Sequence, residues 1–162
     1  MANDNFPRGL VPINFNPKAD AHYYRVNTAG VDIFLGQPVD FLTTGFVDNA
    51  IPVGTAGVVK ALGVAVGFAG PLKKGLATDD PFLDVSDLST LATGLEAGDR
   101  WVLVADNPMQ QFAIQADTGG TLLTLAAIGE TAALIYRATS GSTTSGWANL
   151  ELDASSNAAT SG

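Results

Sequence analysis

The chain has 162 residues, with 18 Gly, 8 Lys plus Arg, 16 Asp plus Glu, one His and no Cys, and a formal net charge of −8. Without cysteine it has no disulfide framework, no thiolate metal cluster and no cysteine nucleophile. The acidic balance argues against nucleic acid as a partner, because such binding draws most of its affinity from Lys and Arg on phosphates.

The length suits one domain, or one domain with an arm, able to bury roughly 70% of its unfolded surface. The opening residues, Met1-Ala-Asn-Asp-Asn-Phe-Pro-Arg-Gly, lack the basic start and apolar core of a signal peptide, so synthesis without export is expected. The most apolar stretch, residues 58–72, is interrupted by Lys60, Pro71 and glycines, and is shorter than the ~20 residues of a spanning helix. No membrane partner is expected.

Residues 1–21 read as an extended arm. Pro7, Pro12 and Pro17 remove backbone donors and fix φ, which predicts neither helix nor central strand there. Yet Phe6, Leu10, Val11, Ile13 and Phe15 are apolar, and a free tail has no core in which to bury them. The arm either packs back on its own domain or lies on a partner.

Residues 22–153 read as one β domain of short strands. Tyr23-Tyr-Arg-Val is a strand. Ile33-Phe-Leu-Gly-Gln-Pro-Val-Asp-Phe-Leu contains two short runs, bent at Gly36 and Pro38, and Ile51-Pro-Val is brief. Val58-Val-Lys-Ala-Leu-Gly-Val-Ala-Val-Gly-Phe is apolar on both faces, and its glycines predict a bulge or a close backbone approach. Arg100-Trp-Val-Leu-Val-Ala is a second buried strand. Gln111-Phe-Ala-Ile-Gln-Ala alternates, with Phe112 and Ile114 on one face. Strands are also expected over 122–127 and 132–136. Turn signals about every ten residues predict an all-β fold, a compact β-barrel or β-sandwich with little helix.

Four segments fall outside this strand pattern. Residues 70–99 form a long irregular excursion. Short turns are expected over 86–92 and around Pro108. The Ser/Thr/Gly run at 140–146 predicts a flexible loop, and residues 154–162, without a large apolar side chain, predict an extended or mobile tail.

Candidate chemistry is sparse. Asp117-Thr-Gly matches the short signature of aspartic proteases, whose two aspartates share a proton, so a single copy requires a homodimer. The same residues make a good hairpin turn. Asp79, Asp80, Asp84 and Asp87 gather carboxylates but lack the spacing of a calcium loop. His22 is the lone histidine, with no partner visible from spacing, and predicts a surface or packing residue. Lys73-Lys74 predicts a solvated turn. There is no Gly-Lys-Ser/Thr phosphate loop and no Gly-x-Ser-x-Gly elbow. These patterns predict a structural or binding protein with no catalytic, metal-binding or cofactor residues.

Several segments, in order, resemble the capsid cement (head decoration) proteins of tailed bacteriophages. They are Asn5-Phe-Pro-Arg-Gly-Leu-Val-Pro; Ile33-Phe-Leu-Gly-Gln-Pro-Val with Leu62-Gly-Val-Ala-Val-Gly-Phe; Trp101-Val-Leu-Val-Ala-Asp-Asn-Pro with Phe112-Ala-Ile-Gln; and Gly141-Ser-Thr-Thr-Ser-Gly with Leu150-Glu-Leu-Asp-Ala-Ser-Ser. The resemblance covers nearly the whole chain, although such proteins usually continue past this point with another apolar strand.

The resemblance implies a protein made in the host cytoplasm that sits on the outer surface of the virion capsid. Its partners would be the major capsid protein and two further copies of itself in a homotrimer. Candidate contact residues are Phe6, Pro7, Arg8, Leu10, Val11, Pro12 and Phe15 on the arm, with Leu72, Phe82 and Leu83 on the excursion. Another virion part, such as a head fibre or tail component, would share the lack of catalytic groups.

Overall fold

A computed structural model describes residues 7–26, 32–50, 61–69, 100–117, 123 and 125–158. Among them are nine strands: β1 (Val11–Ile13), β2 (Ala21–Arg25), β3 (Pro38–Phe41), β4 (Val47–Asn49), β5 (Gly63–Ala69), β6 (Trp101–Ala105), β7 (Gln111–Ala113), β8 (Thr131–Gly141) and β9 (Ala148–Ala158). The fold is all-β, as the strand patterning predicts.

The strands form three sheets. One has five strands in the order β2-β6-β5-β3-β4, and the others pair β1 with β7 and β8 with β9. All of these ladders are antiparallel. The five-stranded sheet curls until its edges touch at a single parallel bridge, Val26 to Val47. No continuous ladder closes it among the described residues.

The two apolar runs singled out in the sequence are the sheet's middle. β6 lies between β2 and β5, and its Val102 and Val104 are fully buried. They pack with Val26, Ile33, Val39, Val47 and Ala65 in a first core. Both devices expected of the glycines in β5 occur. Val66 is the extra residue of a bulge between Ala65 and Gly67. At Gly63 a Cβ would lie 2.3 Å from the Ala105 carbonyl oxygen, so only glycine lets the two backbones approach.

A second core gathers Phe34, Tyr136, Ala148 and Leu150, with Leu10, Ile114 and Leu134 packed against it. Ile33 and Phe34 are neighbours in an extended segment, where successive side chains point to opposite sides. One therefore enters each core.

Four local expectations are corrected. Pro17 does not prevent a helix: a single turn, α1 (Pro17–Asp20), starts on it. At the first helical position the missing N–H has no partner to lose, and the Asn16 side chain caps the turn by accepting from Lys18 N at 3.2 Å. Residues 125–127 form a 3-10 turn rather than a strand.

The run at 140–146 is an ordered hairpin turn, not a flexible loop. Gly146 N donates to Ser142 O at 2.8 Å and Ser142 N donates to Trp147 O at 3.0 Å. Finally, the strand β9 continues through Ala158, past the boundary expected at 154. Ala154 is buried and its N–H donates to Asp117 Oδ1, and the strand meets β8 again at Ala158, opposite Thr131.

Ile51-Pro-Val, the excursion 70–99 with Leu72, Phe82 and Leu83, and the acidic residues at 79–87 lie outside the described residues, as does Phe6. No helix among the described residues is long and apolar enough to cross a membrane.

Candidate functional site

Residues 35–37 are the joint where the sheets meet. Gly36 N donates to Ala65 O of β5 at 2.8 Å, and Ala65 N donates to Gln37 O at 2.9 Å. On the other side, Leu35 N donates to Gly146 O and Ala148 N to Leu35 O, each at 2.9 Å, which attaches the β8–β9 ribbon. Gln37 is fully buried, and its Oε1 accepts from Phe34 N at 2.8 Å.

The arm docks on this joint. Leu10 N donates to Gly36 O at 2.8 Å. Gly9 and Gly36 both have positive φ, +65° and +81°. A Cβ on Gly9 would lie 2.3 Å from Gly36 O, and one on Gly36 would lie 2.2 Å from Arg8 O. Each position requires glycine twice over, by conformation and by contact. The Arg8 guanidinium lies 5.9 Å from the centre of the Trp147 ring, a cation–π contact. Further along, β1 pairs with β7, with Pro12 opposite Phe112.

Of the two fates open to the arm, residues 7–15 therefore pack on their own domain. Leu10 joins the second core. Arg8 stays exposed, while Pro7, Val11, Pro12 and Phe15 are half-buried. Leu10, Pro12 and Phe15 form one wall of an apolar groove of about 170 Å³, with Leu35, Val66 and Trp147 among its other lining residues.

The structure also joins residues that spacing could not connect. In the β2–β6 register His22 faces Val104, which puts His22, Tyr24 and the next residue in alternation, Asp106, on one side. His22 Nδ1 donates to the Asp106 carboxylate, 2.9 and 3.0 Å from its two oxygens. The Tyr24 hydroxyl donates to Asp106 Oδ2. Burial, the hydrogen bond and the negative charge of Asp106 together push the Tyr24 hydroxyl up to about 12.

On the neighbouring turn, Asn107 Nδ2 donates to Asp20 Oδ1 at 2.8 Å and Asn16 N donates to Asp20 Oδ2 at 2.9 Å. These two bonds hold the Asp20 carboxyl below the usual carboxylate value. The network ties the arm, β2 and the end of β6 together.

Asp117 is used by the backbone. Its Oδ1 accepts from Ala154 N at 3.1 Å, and its own N–H donates to Leu152 O at 2.9 Å. Leu152 N donates to Gln115 O at 2.9 Å, so residues 115–117 run parallel along β9. Glu151 is fully buried beside them and accepts from Gln115 Nε2 at 3.5 Å. This is the arrangement of a strand junction. Among the described residues no three His, Asp or Glu side chains gather as a metal site.

Comparison with known proteins finds no matching family model, no matching curated protein and no matching solved structure.

Proposed function

We propose that the chain is a capsid cement protein of a tailed bacteriophage. It would bind the outside of the assembled head, contact the major capsid protein, associate as a homotrimer and hold neighbouring capsomers together.

One observation supports this reading above the others. The segments that resemble cement proteins fall on the joints of the fold. Leu35-Gly-Gln carries the hydrogen bonds that unite arm, sheet and ribbon. Gly63 makes the close approach to β6, and Asp106 holds His22 and Tyr24. Glu151 lies buried at the junction with residues 115–117. Residues that set architecture are those that a shared fold would retain, whereas those that touch a partner can vary.

The chemistry at these joints is structural, and the acidic composition suits a position outside the shell, away from packaged nucleic acid. A lattice contact works by area and repetition. An interface of ~800 Å² per partner has a gross apolar term of ~20 kcal/mol at ~25 cal/mol/Å², much of it lost to association entropy and desolvation. Several such contacts per copy add through avidity.

The test is to mix the purified chain with empty expanded shells of the phage that supplies it and to image them. Regular added density on the outer surface is the expected result. Bare shells under saturating protein would reject the proposal.

A further inference from the structure

The largest exposed apolar feature among the described residues is not on the arm. It lies just before β8, where the 3-10 turn Leu125–Ala127 leaves Leu125 86% and Ile128 78% exposed, with Leu123 at 43%. The turn is built rather than frayed. Ile128 N donates to Leu125 O at 3.3 Å, Glu130 N donates to Ala127 O at 3.2 Å, and Gly129 takes φ +85° to turn into the strand. Single exposed apolar residues are ordinary, but three within six positions of one short segment mark a contact surface.

Among the described residues, the charged groups that neighbour this tip along the chain and in the β8–β9 register have one sign. The sequence carries no charged residue between Asp117 and Glu130. Glu130 closes the turn, and Asp153 stands opposite Ala133 in the adjoining register of β9. Asp117 is tied to the neighbouring Ala154. An apolar tip with acidic neighbours fits an apolar depression rimmed by Lys or Arg. A second copy of the same tip would bring like charges together around the contact.

The tip also lies at the opposite end of the β8–β9 ribbon from Trp147, where the arm is held. Along β8 that is roughly 30 Å at ~3.3 Å per residue.

We propose that Leu123, Leu125 and Ile128 form the seat of this molecule on a basic-rimmed apolar depression of a protein partner. This rests on the cement reading, which makes the partner the outer face of the capsid lattice. The arm is then an internal brace, and the ribbon's open end makes the external contact.

The experiment compares shell binding by the full chain and by the double variant Leu125→Asp/Ile128→Asp, with sedimentation of each free protein. Both side chains face solvent, so the variant should keep its circular dichroism and urea midpoint. Leu125→Ser/Ile128→Ser is the milder pair should the aspartates disturb folding. The expected result is binding weakened by about tenfold or more, the scale of a hot-spot loss. Glu130→Lys should weaken binding as well and reduce its sensitivity to salt.

Shells left bare by the unaltered chain would reject the cement reading and this seat with it. Shells decorated equally by the unaltered chain and the double variant would reject the seat alone. A free oligomer that the double variant dissolves would show that a second copy covers the tip, and would overturn the assignment to a capsid partner.

Discussion

Asp106 collects His22 and Tyr24 on a carboxylate at the end of β6, and of these Tyr24 carries a pH signature. A tyrosine whose pKa rises from 10.0 to about 12 on folding favours its neutral form in the native state. Its stabilisation is fully present below pH 10 and is lost as pH rises through about 12. Tyr24→Phe should therefore show a smaller fall in urea midpoint between pH 10 and pH 12 than the unaltered chain.

Asp20 has the opposite sign. Its folded pKa lies below the usual 3.8, so its contribution is present above 3.8 and lost as pH falls through the lower native value. The stability difference between the unaltered chain and Asp20→Asn should shrink as the solution is acidified below pH 3.8. Gly63 has no titratable group, only a lack of space. Gly63→Ala would press a methyl against the Ala105 carbonyl and should cost about 1–3 kcal/mol by urea unfolding.

Among the elements, the arm is the one whose role changes most once its partners are known. Its apolar residues left two fates open, its own domain or a partner, and Leu10 packs against the second core. Leu10→Ala should cost about 1–2 kcal/mol, below the range for a fully buried leucine because Leu10 is only half-buried. Removing residues 2–17 takes away that contact together with β1, so it should lower the thermal midpoint.

β5 and β6 were legible because a Val-rich run is apolar on both faces wherever it sits in a sheet. β9 beyond Asp153 was not, because its small residues are held by groups distant in sequence, with Ala154 N–H donating to Asp117 Oδ1 and Ser156 Oγ accepting from Ala133 N. The same holds for His22 and Asp106, which lie 84 residues apart and meet only through the β2–β6 register. The 3-10 turn shares the composition of a strand. What distinguishes it is the exposure of Leu125 and Ile128, which depends on the whole molecule.

Across the whole molecule, two cores are joined through adjacent residues, Ile33 in one and Phe34 in the other. Neither side can loosen without displacing the segment that also carries Gly36 and its bonds to the arm and β5. The described residues should therefore unfold as one cooperative unit. Trp101 lies on the five-stranded sheet and Trp147 beside the ribbon, so each reports a different half. Fluorescence of Trp101→Phe, which leaves Trp147, and of Trp147→Phe, which leaves Trp101, should each give a urea midpoint that coincides with the circular dichroism midpoint of the same variant. Midpoints that separate would show two independent units.

The pairing of β1 with β7 also sets an order of events during synthesis. Val11 waits for Ala113, roughly 100 residues later, and at about 5–20 residues per second the delay is about 5–20 s. For that interval the most apolar part of the arm leaves the ribosome with no strand to lie on. Nascent chains at high density would meet one another through it before they could close on themselves, and slower translation would lengthen that risk.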